Sequence, residues 1–385
     1  MNIVYFFPNL KDAAGTERML NVKANYLADV LGYNVTIITY RQYDDPIFFK
    51  FSEKIKMIHF DIPDPTRDLK NFPSVERKKL YKNFMATYRK KVEDYLYHNP
   101  TDIAISMYFG AEHKFLPLIK DGSKKILEYH FHFDITPFSK ILKSDWSLQN
   151  LKAKILTKLF QRTLNKFDKI VVLTEEDEKE WSYYFDNVTN IPNPITIEPI
   201  TADTNAEKVL AVGRHTSQKG FDYLVEAWAI VAKKFPNWQL DIYGHGEQEE
   251  ERKQQIKNLG LEKSINLYPP SKEINKVFSE HSIFVLSSRF EGFPLVLMEA
   301  LASGLAPVSF ECKNGPKQML GDNKLKEFLV EPNNVEIFAE KLSELMESDV
   351  LRKEMSEEAL RVSKRYEMSS IMKKWEGLFR DLVKK

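Results

Sequence analysis

The chain has 385 residues, a formal net charge of +1 and a single cysteine, Cys312. That length exceeds one ordinary hydrophobic core and predicts two domains, while the balanced charge excludes a generally basic nucleic-acid binder. One cysteine excludes an internal disulfide and suits a reducing, cytoplasmic setting.

The opening run MNIVYFFPN has no basic leader and no small-residue cleavage site, so it reads as a first β-strand and not as a signal peptide. No run of about 18 apolar residues follows that would span a bilayer. Apolar, β-branched runs at residues 3–7, 35–40, 57–62, 103–107, 125–130 and 170–174 predict strands. Helical periodicity fills residues 17–31, 75–97 and 148–167 between them. The alternation predicts βαβ units and a largely parallel sheet covered on both faces.

Two of these helices carry a basic pattern. The segment 148-LQNLKAKILTKLFQRTLNKF-167 sets Leu148, Leu151, Ile155, Leu156 and Leu159 beside Lys154, Lys158, Arg162 and Lys166, and 77-RKKLYKNFMATYRKK-91 is basic and aromatic. Both suit a solvated helix face over the sheet, the commoner use of such a pattern, and both suit peripheral contact with an anionic membrane surface.

Residues 191–207, IPNPITIEPITADTNAE, have no helical period and read as a linker. The βα grammar then restarts, with strands expected at 209–212, 240–243, 265–268, 283–287 and 307–310 and helices at 223–234, 248–259, 272–279 and 294–303. From residue 335 onward the pattern is helical. The expected division is residues 1–195, a linker at 196–207, residues 208–368, and a final helix within 369–385. Trp375, Leu378, Phe379 and Leu382 mark that helix's docking face. Two open α/β domains in tandem are predicted, with ligands at the carboxyl ends of the strands and in the crevice between domains.

Three strand ends of the second domain carry chemistry. After the first comes 213-GRHTSQKGFDYL-224, in which Gly213 leaves the strand and Arg214 and Lys219 place two cations on one loop. Such a loop can hold a diphosphate, Arg by a forked contact and Lys as a point charge, or can simply be a solvated basic loop. The next strand ends in 243-YGHGEQ-248, where Gly244 and Gly246 allow close backbone approach or make a plain tight turn. The fourth leads into 289-RFEGFPLVLMEALASGLAPV-308. There Gly292 and Pro294 turn the chain into a helix whose first N–H groups, on Leu295 and Val296, face an anion. Glu291 stands at its mouth, and Glu299 is an acid among apolar neighbours, on one face with Ser303. A buried carboxylate needs hydrogen-bond donors, which sugar hydroxyls or a core cation would supply. No paired carboxylates suggest a metal site.

Gly-Arg-x4-Lys-Gly, Gly-x-Gly and Glu-Gly-Phe-Pro-x4-Glu, in this order on successive strand ends, resemble the retaining glycosyltransferases of the two-domain GT-B fold. More narrowly they resemble the family-4 group with its E-x7-E signature, and 315-GPKQML-320 is similar to that family's Gly-Pro segment. The resemblance implies a metal-independent hexosyltransferase that takes a sugar from a nucleotide sugar, UDP-sugar favoured with GDP and ADP open, to a glycan or lipid-linked glycan hydroxyl in bacterial surface polysaccharide synthesis. It implies that Arg214 and Lys219 neutralise the donor diphosphate and that Glu299 binds the ribose. Glu291 would contact the sugar near its anomeric carbon, with the backbone of Phe293, Pro294 and Leu295 lining the site, and the final helix would cross back onto the first domain.

In the first domain 13-AAGTERML-20 is similar to the family's Gly-Gly-Thr-Glu-Arg turn, with Ala14 in place of one glycine and Gly15 kept. Within 128-EYHFHFD-134, His130, or His132 after it, matches a histidine that would meet donor sugar or departing phosphate. Front-face substitution and double displacement through Glu291 both remain open. Two other readings share the fold: an epimerase or phosphorylase, and an inactive partner subunit that binds nucleotide or glycan.

Overall fold

The computed structural model describes residues 1–12, 14–63, 74–107, 110–131, 133, 139 and 151–384. His132 and Leu148 lie outside the described residues, as do the side chains of Leu151, Lys154 and Leu156. The chain divides into two compact units, Met1–Pro192 with Met372–Lys385, and Asn193–Ile371.

The first unit is built on strands β1 (Asn2–Phe7), β2 (Asn34–Thr39), β3 (Lys56–His59), β4 (Ile103–Met107), β5 (Lys124–Glu128), β6 (Lys169–Val172) and β7 (Val188–Asn190). They form one sheet in the order β3-β2-β1-β4-β5-β6-β7, every pair parallel. β1 buries Ile3 to Phe7 without interruption, as a strand covered on both faces must. Helices α1 (Gly15–Asp29), α2 (Ser74–His98), α3 (Leu151–Leu164) and α4 (Glu175–Ser182) connect the strands.

α4 and β7 are absent from the sequence-based expectation, and both are short. α4 is held by its start: the Thr174 hydroxyl accepts from Asp177 N–H at 3.0 Å, and four acids occupy its first turn. Negative charge there favours the helix dipole, whereas about two turns around Trp181 show no readable period.

The second unit contains β8 (Lys208–Val212), β9 (Gln239–Tyr243), β10 (Ile265–Tyr268), β11 (Ile283–Leu286), β12 (Ala306–Phe310) and β13 (Leu329–Val330). These are again all parallel, in the order β10-β9-β8-β11-β12-β13. Its helices are α5 (Phe221–Val231), α6 (Glu249–Asn258), α7 (Ile274–Ser279), α8 (Leu295–Ala302), α9 (Pro316–Leu320), α10 (Val335–Glu347) and α11 (Asp349–Ser363). Both sheets reverse direction beside their first strand, between β1 and β4 and between β8 and β11. This is the doubly wound order, whose ligands bind outside the carboxyl ends at that reversal.

The segment after Pro192 lies along the second unit. Ile195 N–H donates to Tyr366 O, Ala202 N–H to Ser303 O and Asp203 N–H to Ser279 O, at 2.8, 2.8 and 3.0 Å. Its lack of period reflects an extended path whose backbone groups are satisfied by neighbours. The last helix, α12 (Met368–Val383), joins the first unit from Met372 onward. It buries Ile371, Met372, Trp375, Phe379 and Leu382, with Leu378 at the margin of that stripe. Among the described residues no helix is long and apolar enough to cross a membrane.

Candidate active site

The loops that leave β8 and β11 are built as one piece. Gly220 takes a positive φ of 61°, and a Cβ there would stand 2.1 Å from Ser287 O, so only glycine permits the contact. Four hydrogen bonds stitch the loops: Arg289 N–H to Gln218 O at 2.8 Å, Gln218 Nε2 to Phe290 O at 3.1 Å, Ser287 Oγ to Lys219 O at 3.0 Å, and Arg289 Nη1 to Ser217 O at 2.8 Å.

The Arg289 guanidinium also takes both Asp222 oxygens, at 2.9 and 2.5 Å, and lies 4.1 Å from the Tyr223 ring centre. Burial would push the Asp222 carboxyl up, but Arg289 outweighs it and holds the group below its ordinary range. Sequence reading passed over Arg289 and Asp222. Their signal is their place, each beside a functional candidate on a strand-end loop.

Within this frame Lys219 crosses Gly213, whose missing side chain leaves room for the lysine stem; a Cβ there would sit 3.1 Å from Lys219 Cγ, Cδ and Cε. Lys219 Nζ then reaches Glu291 Oε1 at 2.7 Å, and Ser288 Oγ donates to the same oxygen at 2.6 Å. The Glu291 side chain is 7% exposed and that of Lys219 15%, so the pair is shielded from water far more than a surface bridge. Arg214, five residues before Lys219, is exposed.

The Gly-x-Gly turn after β9 serves packing. A Cβ on Gly244 would stand 1.8 Å from Gly213 O, and one on Gly246 2.3 Å from His215 O. The backbone these glycines admit belongs to the neighbouring loop, which pairs His215 N–H with His245 O at 2.8 Å.

α8 begins one residue later than expected, at Leu295, with Pro294 in the capping position and no side chain capping that end. The Pro294 carbonyl accepts from Leu297 and Met298 N–H at 3.0 and 3.3 Å. The N–H groups of Leu295 and Val296 precede those bonds, so they remain for an outside acceptor. Beneath the turn lies Gly315, at φ 89°; a Cβ there would strike Pro294 Cδ at 2.2 Å. Phe293 is buried, its ring 5.9 Å from that of Tyr366.

Glu299 lies in the second turn of α8 and is 4% exposed. Thr196 Oγ1 donates to its Oε1 at 2.8 Å. The two are 103 residues apart, and nothing in the sequence announces Thr196 as a partner.

In the first unit Gly15 is exposed at the start of α1, where Ala14 caps without a side-chain bond. His130, two residues beyond β5, places Nε2 2.8 Å from Glu128 Oε1. Lys23 of α1 binds the same carboxylate oxygen. The structure therefore joins Lys219, Glu291 and Ser288 in the second unit, sets Glu299 with Thr196 there, and ties His130 to two buried charges in the first.

The chain matches the model of the family described as glycosyl transferases group 1 over residues 194–362. It is 33% identical over 388 residues to an uncharacterized glycosyltransferase of Haemophilus influenzae, covering 98% of this chain and 99% of that one. It is also 33% identical over 222 residues to the amylovoran biosynthesis glycosyltransferase AmsD of Erwinia amylovora, covering 55% of this chain and 62% of that protein. In fold it is similar to a mutant of S. aureus TarM in complex with Fondaparinux, alpha-GlcNAc-glycerol and UDP, with a TM-score of 0.71 at 19% identity over 98% of this chain and 99% of that one. With two doubly wound units, and with loops that gather cations and acids at the carboxyl ends of β8 and β11, the chain belongs to the glycosyl transferases group 1 family and is a glycosyltransferase of the GT-B fold.

Proposed function

We propose that the protein moves a sugar from a nucleotide sugar, UDP-sugar in preference, to a glycan hydroxyl with retention of anomeric configuration. The observation that carries this reading is the shielded Lys219–Glu291 pair at the carboxyl ends of β8 and β11, beside exposed Arg214 and the uncapped start of α8. A diphosphate bound there meets two cations and the N–H groups of Leu295 and Val296. Lys219 exchanges Glu291 for phosphate, and Glu291 turns to the sugar. Glu299 accepts the ribose hydroxyls beside Thr196. The backbone of Gly213, Phe293, Pro294 and Leu295 lines the donor, while Gly246 keeps the adjoining loop in place.

As the bond from anomeric carbon to phosphate oxygen breaks, negative charge grows on the diphosphate. Arg214, Lys219 and the start of α8 stabilise it, so the reading calls for no divalent metal. In front-face substitution the departing diphosphate takes the acceptor's proton as the new bond to the anomeric carbon forms; double displacement through Glu291 is the alternative course. The amylovoran biosynthesis relative supports a bacterial polysaccharide or related glycan acceptor, and the UDP in the complex of similar fold supports the choice of nucleotide. Exposed Ile155 and Leu159 beside exposed Lys158 and Arg162 on α3 support peripheral contact with an anionic membrane at the cytoplasmic face.

Thermal unfolding with UDP, GDP or ADP, each with and without EDTA, tests the reading. A ligand at about 100 times its Kd adds roughly 2.7 kcal/mol. An EDTA-insensitive shift with UDP alone is expected. Shifts with none of the three would overturn it and bring forward an inactive partner subunit.

A further inference from the structure

Three polar groups converge in the core of the first unit. Lys23 on α1 and Glu128 at the end of β5 each have side chains 1% exposed, and that of His130 is 6% exposed. Lys23 Nζ and His130 Nε2 share one oxygen, Glu128 Oε1. The ring of Trp375, on α12, lies 4.3 Å from Lys23 Nζ, and the ring of Tyr5, on β1, lies 6.0 Å from it. Among the described residues, Glu128 Oε2 and the Tyr5 hydroxyl have no hydrogen-bond partner.

Burying two charges costs several kcal/mol per ion, roughly, before their attraction is counted, and an apolar pair of similar volume serves stability as well or better. A purpose beyond stability is therefore indicated. Burial works against an ionised Glu128, but Lys23 and then His130 outweigh it and hold the carboxyl at about 2. Burial pushes the Lys23 ammonium below its ordinary range, with Glu128 opposing that shift.

We propose that Glu128 is the positioning residue of His130, and that Lys23, seated against Trp375, is the countercharge that keeps this carboxylate in the core. An ionised carboxylate only accepts, so the ring proton must lie on Nε2. Nδ1 of the neutral ring is then a lone-pair acceptor. Such a nitrogen suits a hydroxyl donor.

The test uses the full chain labelled with 15N-histidine at a pH where the ring is neutral, with His130 assigned through His130→Gln. A ring N–H protected from solvent exchange is expected on Nε2. Glu128→Gln leaves Lys23 unpaired and risks unfolding, so the deciding variant is the double substitution Lys23→Met with Glu128→Leu, which buries no charge. In that variant the protected Nε2–H signal is lost while the thermal shift with UDP persists, because Arg214, Lys219 and Glu299 are untouched. A proton on Nδ1 in the native chain, or a protected Nε2–H that survives the double substitution, overturns the proposal. If UDP produces no shift in the native chain, the donor reading fails while the tautomer result still stands.

Discussion

Lys219 and Glu291, 72 residues apart, meet at 2.7 Å on two loops that hydrogen bonds hold together. The cation and the acid neutralise each other, and in the proposed reaction donor binding exchanges one partner for another, so neither charge is left buried without a counterpart.

Glu291→Gln should therefore separate binding from chemistry. The thermal shift with UDP should persist or grow, since Lys219 is released, whereas sugar transfer should fall by about 10²- to 10³-fold, as when a group stabilising the reacting centre is lost. Turnover measured beside the UDP shift checks this. Equal loss of both would mean that Glu291 only shapes the site.

Glu299→Ala should abolish the nucleotide-induced shift by removing a charged hydrogen-bond acceptor, a loss of about 1.5–3 kcal/mol. Thr196→Val removes only one donor to that acid and should weaken UDP binding by about 1 kcal/mol. Calorimetric titration with UDP orders the two, and a threonine variant weaker than the glutamate variant would contradict the assignment.

Arg289→Lys keeps the charge but gives up the forked contact with Asp222 and the seat on Tyr223. A lysine there should weaken donor binding several-fold through the loop that carries Lys219, with little change of fold. Donor KM and the far-ultraviolet spectrum decide; an unchanged KM would show that the backbone bonds alone hold the loops.

The pH dependence of stability should carry a hidden pair. Glu112, just after β4, is fully buried, bonded by Ser106 Oγ at 2.7 Å and the Tyr88 hydroxyl at 3.1 Å. Burial raises it from 4.5 to about 7. Burial also lowers the neighbouring His113 from 6.5 to about 4. The folded Glu112 binds its proton more tightly than the unfolded one, so its contribution is present at low pH and lost as pH rises from about 4.5 to about 7. His113 behaves oppositely: its contribution is present above 6.5 and lost as pH falls toward about 4. In the native chain these slopes oppose and nearly cancel. Glu112→Gln should leave stability climbing with pH over the His113 range, and His113→Asn should leave it falling over the Glu112 range, each by roughly 2 kcal/mol between pH 5 and pH 7. Urea titrations at pH 5 and pH 7 provide the comparison, and two variants that both track the native chain would refute it.

Trp375→Ala should destabilise the first unit by about 3–5 kcal/mol, because it empties a fully packed position and uncovers Lys23. Removing α12 altogether should lower stability and donor turnover together. Full activity in the shortened chain would argue that the helix is an appendage.

The repeating βα units, the two sheets and the E-x7-E loop were legible because each is a local pattern: apolar runs of strand length, helical periods, and glycines where a turn demands them. Arg214, Lys219, Glu291 and Glu299 are legible as candidates for the same reason, since they lie beside such turns. β7, β13 and α4 were not legible, for a few residues carry no period and their place comes from neighbours. Only tertiary structure decided the partners: Ser288 and Lys219 on Glu291, Thr196 on Glu299, Lys23 and His130 on Glu128. It also set Gly244 and Gly246 against the backbone of the neighbouring loop, and placed the aperiodic segment after Pro192 in the second unit. Pairings across many tens of residues leave no spacing in the chain. They are set by the closeness of strand ends in a parallel sheet and by the cost of leaving a buried charge without a partner.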